Sequence, residues 1–274
     1  MAAKIEWLER IVSVKQAELE QARARVPQTE LEKCVQPGPA GAFRRALLAR
    51  RDSHPDIAII AELKHASPSR GTFRSDYDPA TIARSYQQAG ARALSVLTDN
   101  EFFFGSLEHL QQAKAATALP ILRKDFTLAE YHVFEAAAAG ANAILLIVAI
   151  LQPQDLARLV ALSRALGLDA LVEVHTVEEL RIALDSGSDL VGINNRNLKT
   201  FAVSLDVSFQ LIELIPDEVV AVSESGLRTA EDLERLRAAG FDAFLIGERF
   251  MTEPDPGAAL ARLLSEVATR TAVS

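Results

Sequence analysis

A single cysteine, Cys34, stands in 274 residues, so no internal disulfide is available, which fits a reducing compartment such as the cytoplasm. No apolar run reaches bilayer length. The most suspect stretch, Ala136 to Leu151, is interrupted by Gly140 and Asn142 and followed by Pro153, and it reads as a helix end, a turn and a strand. The opening MAAKIEWLER interleaves charges and lacks the apolar stretch of a secretory signal. No Lys/Arg block is longer than a pair and the formal net charge is −8, so neither nucleic acid nor an anionic membrane is an expected partner. A local basic pocket for a phosphate remains compatible with that charge. The histidines His54, His65, His109, His132 and His175 are scattered, without H-E-x-x-H or Cys/His spacing, so no metal is expected and each reads first as a surface or capping residue. G-x-G-x-x-G and Walker loops are missing too, which argues against a dinucleotide or a nucleoside triphosphate.

What the chain does have is a repeat. At 49% apolar and 24% charged residues it is a globular sequence, and its length suits one large core. From Ile57 onward eight short β-rich runs recur: 57–63, 93–98, 119–124, 143–148, 170–174, 190–194, 219–224 and 243–247. Amphipathic stretches such as Pro79–Ala89, Gln154–Leu166 and Ala230–Ala239 lie between them, and Ala-Gly turns at 89–91, 139–141 and 239–242 punctuate the pattern. Near-continuous apolar strands alternating with helices predict an α/β protein, a closed (β/α)8 TIM barrel, with an open doubly wound sheet as the rival.

Residues 1–50 precede the repeat and are expected to be an N-terminal helical extension packed on a single barrel domain spanning 1–274. In that segment Ile5, Leu8, Ile11, Val12, Lys15 and Leu19 share a helical face. Pro27, then Pro37, Gly38, Pro39 and Gly41, break the chain before a second helix carrying Phe43, Leu47 and Leu48.

In a barrel the active site lies at the C-terminal ends of the strands, and strand side chains alternate between two faces. Glu62 and Lys64 continue the inward phase of Ala58 and Ile60, and Lys124 is in phase with Leu122. Glu173 ends the fifth run, Asn194 the sixth with Arg196 just beyond, and Glu224 the seventh. Three cations and three carboxylates gathered at one mouth are costly to bury without purpose, because each loses hydration worth several kcal/mol unless paired. A structural ring of ion pairs is the competing reading. The charges can also supply the donors and acceptors of general acid–base chemistry. A lysine close to other cations would have a lowered pKa and be a usable acid near neutrality.

Loops of an anion-binding kind follow the same strands. Lys64 runs into the hydroxyl-rich turn His65-Ala66-Ser67-Pro68-Ser69, the seventh run into Ser225-Gly226-Leu227, and the eighth into Gly247-Glu248. Glycine lets backbone N–H groups approach a phosphate there, with Glu248 contributing only its N–H while its carboxylate points away. Phe102, Phe103 and Phe104 after the second run and Phe126 after the third offer walls for an aromatic ring.

The runs IIAELKHASPS (59–69), VLTDNEFFFGS (96–106), ILRKDF (121–126), GINNRNL (192–198), VSESGL (222–227) and LIGERFM (245–251) resemble, in order and spacing, the indole-3-glycerol-phosphate synthase family. The resemblance spans essentially the whole chain. It implies ring closure of 1-(2-carboxyphenylamino)-1-deoxyribulose 5-phosphate, a phosphorylated small molecule, with loss of CO2 and water and no cofactor, in a monomer or weak homo-oligomer. Under it Lys124 is the general acid, Glu173 a general base, and Lys64 with Glu62 serve the later dehydration. Asn194, Glu224 and Ser225 orient the sugar and these side chains, and Arg196 meets the anthranilate carboxylate. Phe103 and Phe126 flank the ring, and Ser67, Gly226, Gly247 and Glu248 join Lys64 around the phosphate. His65 departs from the family's usual Lys or Arg, weakening an auxiliary charge near the phosphate. Ala129 and Ala137 replace an Asp and an Arg, which suggests a dispensable ion pair on the outer helix. Two alternatives stand against this: a phosphoribosyl-amine isomerase, which would favour Asp or Cys at the strand ends, and a barrel that only binds a phosphorylated metabolite.

Overall fold

The computed structural model describes residues 5–35, 38, 41–49, 57–68, 70–198 and 200–271, with side chains from Leu8 to Arg270. The side chain of Ile5, and Pro37, Pro39, His54 and Ser69, lie outside the described residues. Eight parallel strands form the barrel: β1 (Ala58–Leu63), β2 (Ala93–Leu97), β3 (Ile121–Lys124), β4 (Ala143–Ile147), β5 (Asp169–Val174), β6 (Leu190–Asn194), β7 (Val220–Glu224) and β8 (Ala243–Ile246). Each pairs with its sequence neighbours, and β8 closes onto β1 through Ala243 opposite Ala58, so the sheet has no edge. The open-sheet rival is thereby excluded.

Strand alternation splits the apolar residues into two shells. Ala58, Ile60, Leu122, Leu171, Val220 and Val222 point inward and fill the barrel, while Ile59, Ala61, Leu63, Val172 and Ala221 meet the surrounding helices. The N-terminal segment forms α1 (Ile5–Arg25), α2 (Gln28–Cys34) and α3 (Ala42–Leu48); α2 has no counterpart in the sequence pattern. Helices α4 (Pro79–Ala89), α6 (Leu107–Ala116), α7 (Glu130–Ala138), α8 (Pro153–Ala165), α9 (Val177–Asp185), α10 (Asp206–Ile212), α11 (Ala230–Ala238) and α13 (Pro256–Thr271) form the outer ring, and the short α5 (Asn100–Phe103) and α12 (Glu248–Met251) follow β2 and β8.

The helix starts follow local chemistry. Asp78, Ser106, Thr176 and Thr229 each accept a backbone N–H at an N-cap, Thr229 within a full capping box. Helix α7 lacks such a cap: Ala129 holds the N-cap position with a cap-like backbone but no side-chain acceptor. Position 129 therefore offers α7 no capping side chain.

Helix α3 plugs the floor of the barrel. Phe43 and Leu47 join the inner apolar cluster, whereas Leu48 is exposed. The Asp169 carboxylate at the start of β5 accepts the Phe43 and Arg44 N–H groups at 2.9 and 3.0 Å, fixing the first turn of α3. At the other end of the extension, the Tyr131 hydroxyl of α7 bonds the carbonyls of Ala22 and Val26. No helix among the described residues is long and apolar enough to cross a membrane.

Candidate active site

The strand C-termini open into a cavity of about 650 Å³ lined by Glu62, Lys64, Lys124, Glu173, Asn194 and Glu224. At its base the Lys124 ammonium lies between two carboxylates, 2.8 Å from Glu173 Oε2 and 2.7 Å from Glu224 Oε2. Beside them Lys64 reaches Glu62 Oε1 at 2.7 Å, its Nζ also 5.5 Å from the centre of the Phe73 ring. The six strand-end residues therefore converge.

Their electrostatics differ from the sequence expectation. Burial alone would push the Lys124 pKa down, but Glu173, Glu224 and Glu62 outweigh it and hold the ammonium well above the ordinary lysine range. The lysine's immediate neighbours are carboxylates, not cations, so the anticipated lowering is reversed. The two carboxylates are driven apart as well. Burial pushes Glu224 up to about 7 despite Lys124, and its buried Oε1 has no hydrogen-bond partner. Glu173 faces the same burial, but Lys124, His175 and a hydrogen bond from Asn194 keep it below the usual glutamate value. Neighbouring titratable groups with separated pKa values are a signature of acid–base sites.

Two glycines make room for this cluster. A methyl group at Gly192 on β6 would run into the Glu224 carboxylate, and one at Gly247 into that of Glu62. The sequence points to Gly247 only for its N–H and leaves Gly192 unremarked. A glycine inside an otherwise apolar strand such as LVGIN marks a close approach and is the available signal.

Ser67, Ser225, Gly226, Gly247 and Glu248 also line the cavity, with Arg70, Arg196, Arg228 and Arg249. Ser225 and Gly226 both have positive φ, 65° and 78°, a consecutive left-handed pair that turns the chain sharply after β7. The Glu248 carboxylate lies between Arg70 at 3.4 Å and Arg196 at 3.5 Å, a pairing that sequence spacing does not reveal. His65 does not line the cavity: it stacks on Tyr77 with ring centres 4.7 Å apart and lies near Phe104 and His109.

The third wall is apolar. Phe103 and Phe126 line it, 6.2 Å apart at 40°, with Leu8 and Ile11 from α1. Phe102 is instead buried and Phe104 exposed. Helix α1 is pinned there by Lys15, expected on the apolar face yet only 4% exposed. Its ammonium meets Glu18 at 2.7 Å, Asp99 after β2 at 2.8 Å and Asp125 after β3 at 2.9 Å. Asp125 also accepts from the Thr98 hydroxyl at 2.6 Å and adjoins Arg123. Sequence reasoning misses the partners of Lys15, the bridge that His175 makes between Glu173 and Glu179 behind the cavity, and the lining residues Arg70, Asp125, Arg228 and Arg249.

A closed barrel carrying lysines and glutamates in contact at its strand tips, beneath a polar, glycine-turned rim, defines a (β/α)8-barrel enzyme equipped for proton transfer. Solved structures agree on the fold. Thiamine phosphate pyrophosphorylase from Pyrococcus furiosus superposes with a TM-score of 0.57 at 17% identity, over 77% of this chain and 95% of that one. KGPDC from Streptococcus mutans gives 0.61 at 13% identity, over 78% and 98%. Sequence comparison is more specific. The family model described as indole-3-glycerol phosphate synthase matches residues 8–263. The indole-3-glycerol phosphate synthase of Albidiferax ferrireducens is 47% identical over 258 residues, 94% of this chain and 98% of that protein. The one from Carboxydothermus hydrogenoformans is 43% identical over 264 residues, 94% and 100%. The chain belongs to the indole-3-glycerol phosphate synthase family, ring-closing and decarboxylating lyases of tryptophan biosynthesis.

Proposed function

We propose that this cavity closes the indole ring of 1-(2-carboxyphenylamino)-1-deoxyribulose 5-phosphate with Lys124 as the general acid. The observation that carries the reading is the Lys124 ammonium held between Glu173 and Glu224 at the cavity base. As the aromatic carbon attacks the substrate carbonyl, the oxygen becomes an alkoxide, a strong base. A lysine kept above its ordinary pKa remains fully protonated at neutral pH and is matched to that acceptor. Loss of CO2 then restores the aromatic ring, so this chemistry needs no separate electron sink. Elimination of water requires one donor and one acceptor. The Lys64–Glu62 pair, in contact at 2.7 Å, supplies a donor, and Glu173 supplies the general base.

Asn194 orients Glu173 by donating to it, and Glu224 orients Lys124. Ser225 lines the cavity at the turn beside the sugar. Phe103 and Phe126 flank the anthranilate ring, and Arg196 takes its carboxylate in exchange for the long 3.5 Å contact with Glu248. The phosphate sits against Lys64, Ser67 and the backbone of Gly226, Gly247 and Glu248, with the Glu248 carboxylate turned to the arginines. We read the chain as one barrel domain with its extension, working in the cytoplasm as a monomer or weak homo-oligomer without metal or cofactor.

The test is direct. Purified protein given the carboxyphenylamino-ribulose phosphate develops indole fluorescence in the presence of a chelator. Lys124→Ala lowers turnover by roughly two orders of magnitude or more. A near-full rate in that variant refutes the assignment.

A further inference from the structure

We propose that His175 is a positioning residue of the reaction: a buried imidazolium that holds Glu173 anionic and in place while Lys124 has given up its proton. The proposal rests on the proton-transfer reading above and adds a second, non-reacting counter-charge to it.

His175 follows β5 directly, two residues beyond Glu173, and its side chain is nine-tenths buried. Its backbone N–H donates to Glu179 Oε2 at 2.6 Å, and its ring Nδ1 lies 3.1 Å from the same oxygen. The other ring nitrogen, Nε2, is 3.5 Å from Glu173 Oε1 and has no hydrogen-bond partner. With Nδ1–H committed to Glu179, a neutral ring would turn a lone pair toward a carboxylate in a site nearly closed to water. Protonation replaces that repulsion with an N–H aimed at the anion.

The charged groups around the ring favour the same state. Glu173 faces it from β5, Glu179 from α9 and Glu224 from β7. Lys124 of β3 is engaged with the far oxygen of Glu173 and with Glu224. Burial opposes a charged histidine, yet the hydrogen bond to Glu179 and the carboxylates outweigh it and raise the pKa above the ordinary value. His175 in turn lowers that of Glu173.

The consequence concerns the moment after proton transfer. Lys124 is then neutral, and Glu173 and Glu224 lose their shared cation. His175 does not line the cavity and so stands behind Glu173, out of the substrate's reach, and keeps its charge. Glu173 thereby stays ionised and aligned as a base through the later steps.

Two variants and one titration test this. His175→Gln lowers kcat roughly tenfold with KM nearly unchanged, and moves the acidic limb of kcat/KM up by about one pH unit. Glu179→Gln leaves the acidic limb alone and moves an alkaline limb downward, because the ring sheds its proton earlier. In nuclear magnetic resonance titration of the intact protein, His175 has a midpoint above ordinary histidine, and Glu179→Gln lowers it. If His175→Gln fails to fold, the titration and Glu179→Gln carry the test. An active wild type with an unchanged rate and pH profile in a folded His175→Gln, or a midpoint at or below the ordinary value, overturns the proposal. A wild type that forms no indole overturns instead the reaction assigned above.

Discussion

Lys15→Met is the most revealing stability perturbation. Methionine preserves most of the lysine stem, so packing in the apolar wall changes little, but the ammonium that joins Glu18, Asp99 and Asp125 is gone. Removing one partner from a buried ion pair costs about 3–5 kcal/mol, because the remaining charges are uncompensated. The two aspartates share that loss unequally. Asp125 keeps the Thr98 hydroxyl and Arg123, whereas Asp99 keeps mainly the Phe102 N–H. Burial already raises the Asp99 pKa even with Lys15 beside it, so in the variant the acid protonates more readily and relieves part of the strain. An acid whose folded pKa lies above its unfolded value favours the fold at low pH and loses that contribution as pH rises through the folded value. The destabilisation is therefore larger at pH 8 than at pH 5. At about 2 °C per kcal/mol for a chain of this size, the thermal midpoint falls by roughly 6–10 °C at pH 8 and by visibly less at pH 5. Differential scanning fluorimetry at both pH values measures it. A shift under about 2 °C at pH 8, or an equal shift at both, refutes the reasoning.

Other outcomes follow from single positions. Gly192→Ala drives a methyl into the Glu224 carboxylate and breaks its 2.7 Å contact with Lys124, so kcat falls at least roughly tenfold while circular dichroism stays barrel-like; an unchanged kcat contradicts the packing argument. Ala129→Ser gives α7 the N-cap acceptor it lacks and stabilises the protein by about 1 kcal/mol in chemical denaturation, with activity unaltered; no gain would mean that the His132 ring, which already accepts the Leu128 N–H, suffices.

The barrel is legible in the sequence because its signals are local. Alternation over six residues places Glu62 in phase with Ile60, and Ala-Gly turns end the helices, so strand limits fall within two residues of the expected runs. The strand-end set of Glu62, Lys64, Lys124, Glu173, Asn194 and Glu224 is legible for the same reason. What depends on distant partners is not. Nothing around Lys15 in the sequence announces Asp99 or Asp125, so its place on an apolar helical face is visible but its three anionic partners are not. The expected lowering of the Lys124 pKa fails because sequence shows which ions share a mouth but not which of them touch. His175, a plausible capping histidine by position, becomes a bridge only once α9 swings Glu179 back beneath it.

The two anchors of the extension also tie it to partners far along the chain. Phe43 waits for Asp169, 126 residues later in the chain, and Lys15 waits for the turns after β2 and β3. The extension's docking thus depends on contacts of high sequence separation, each of which must close a long loop before it stabilises anything. The wall formed by Leu8 and Ile11 is therefore only as secure as the strand-end turns that receive Lys15.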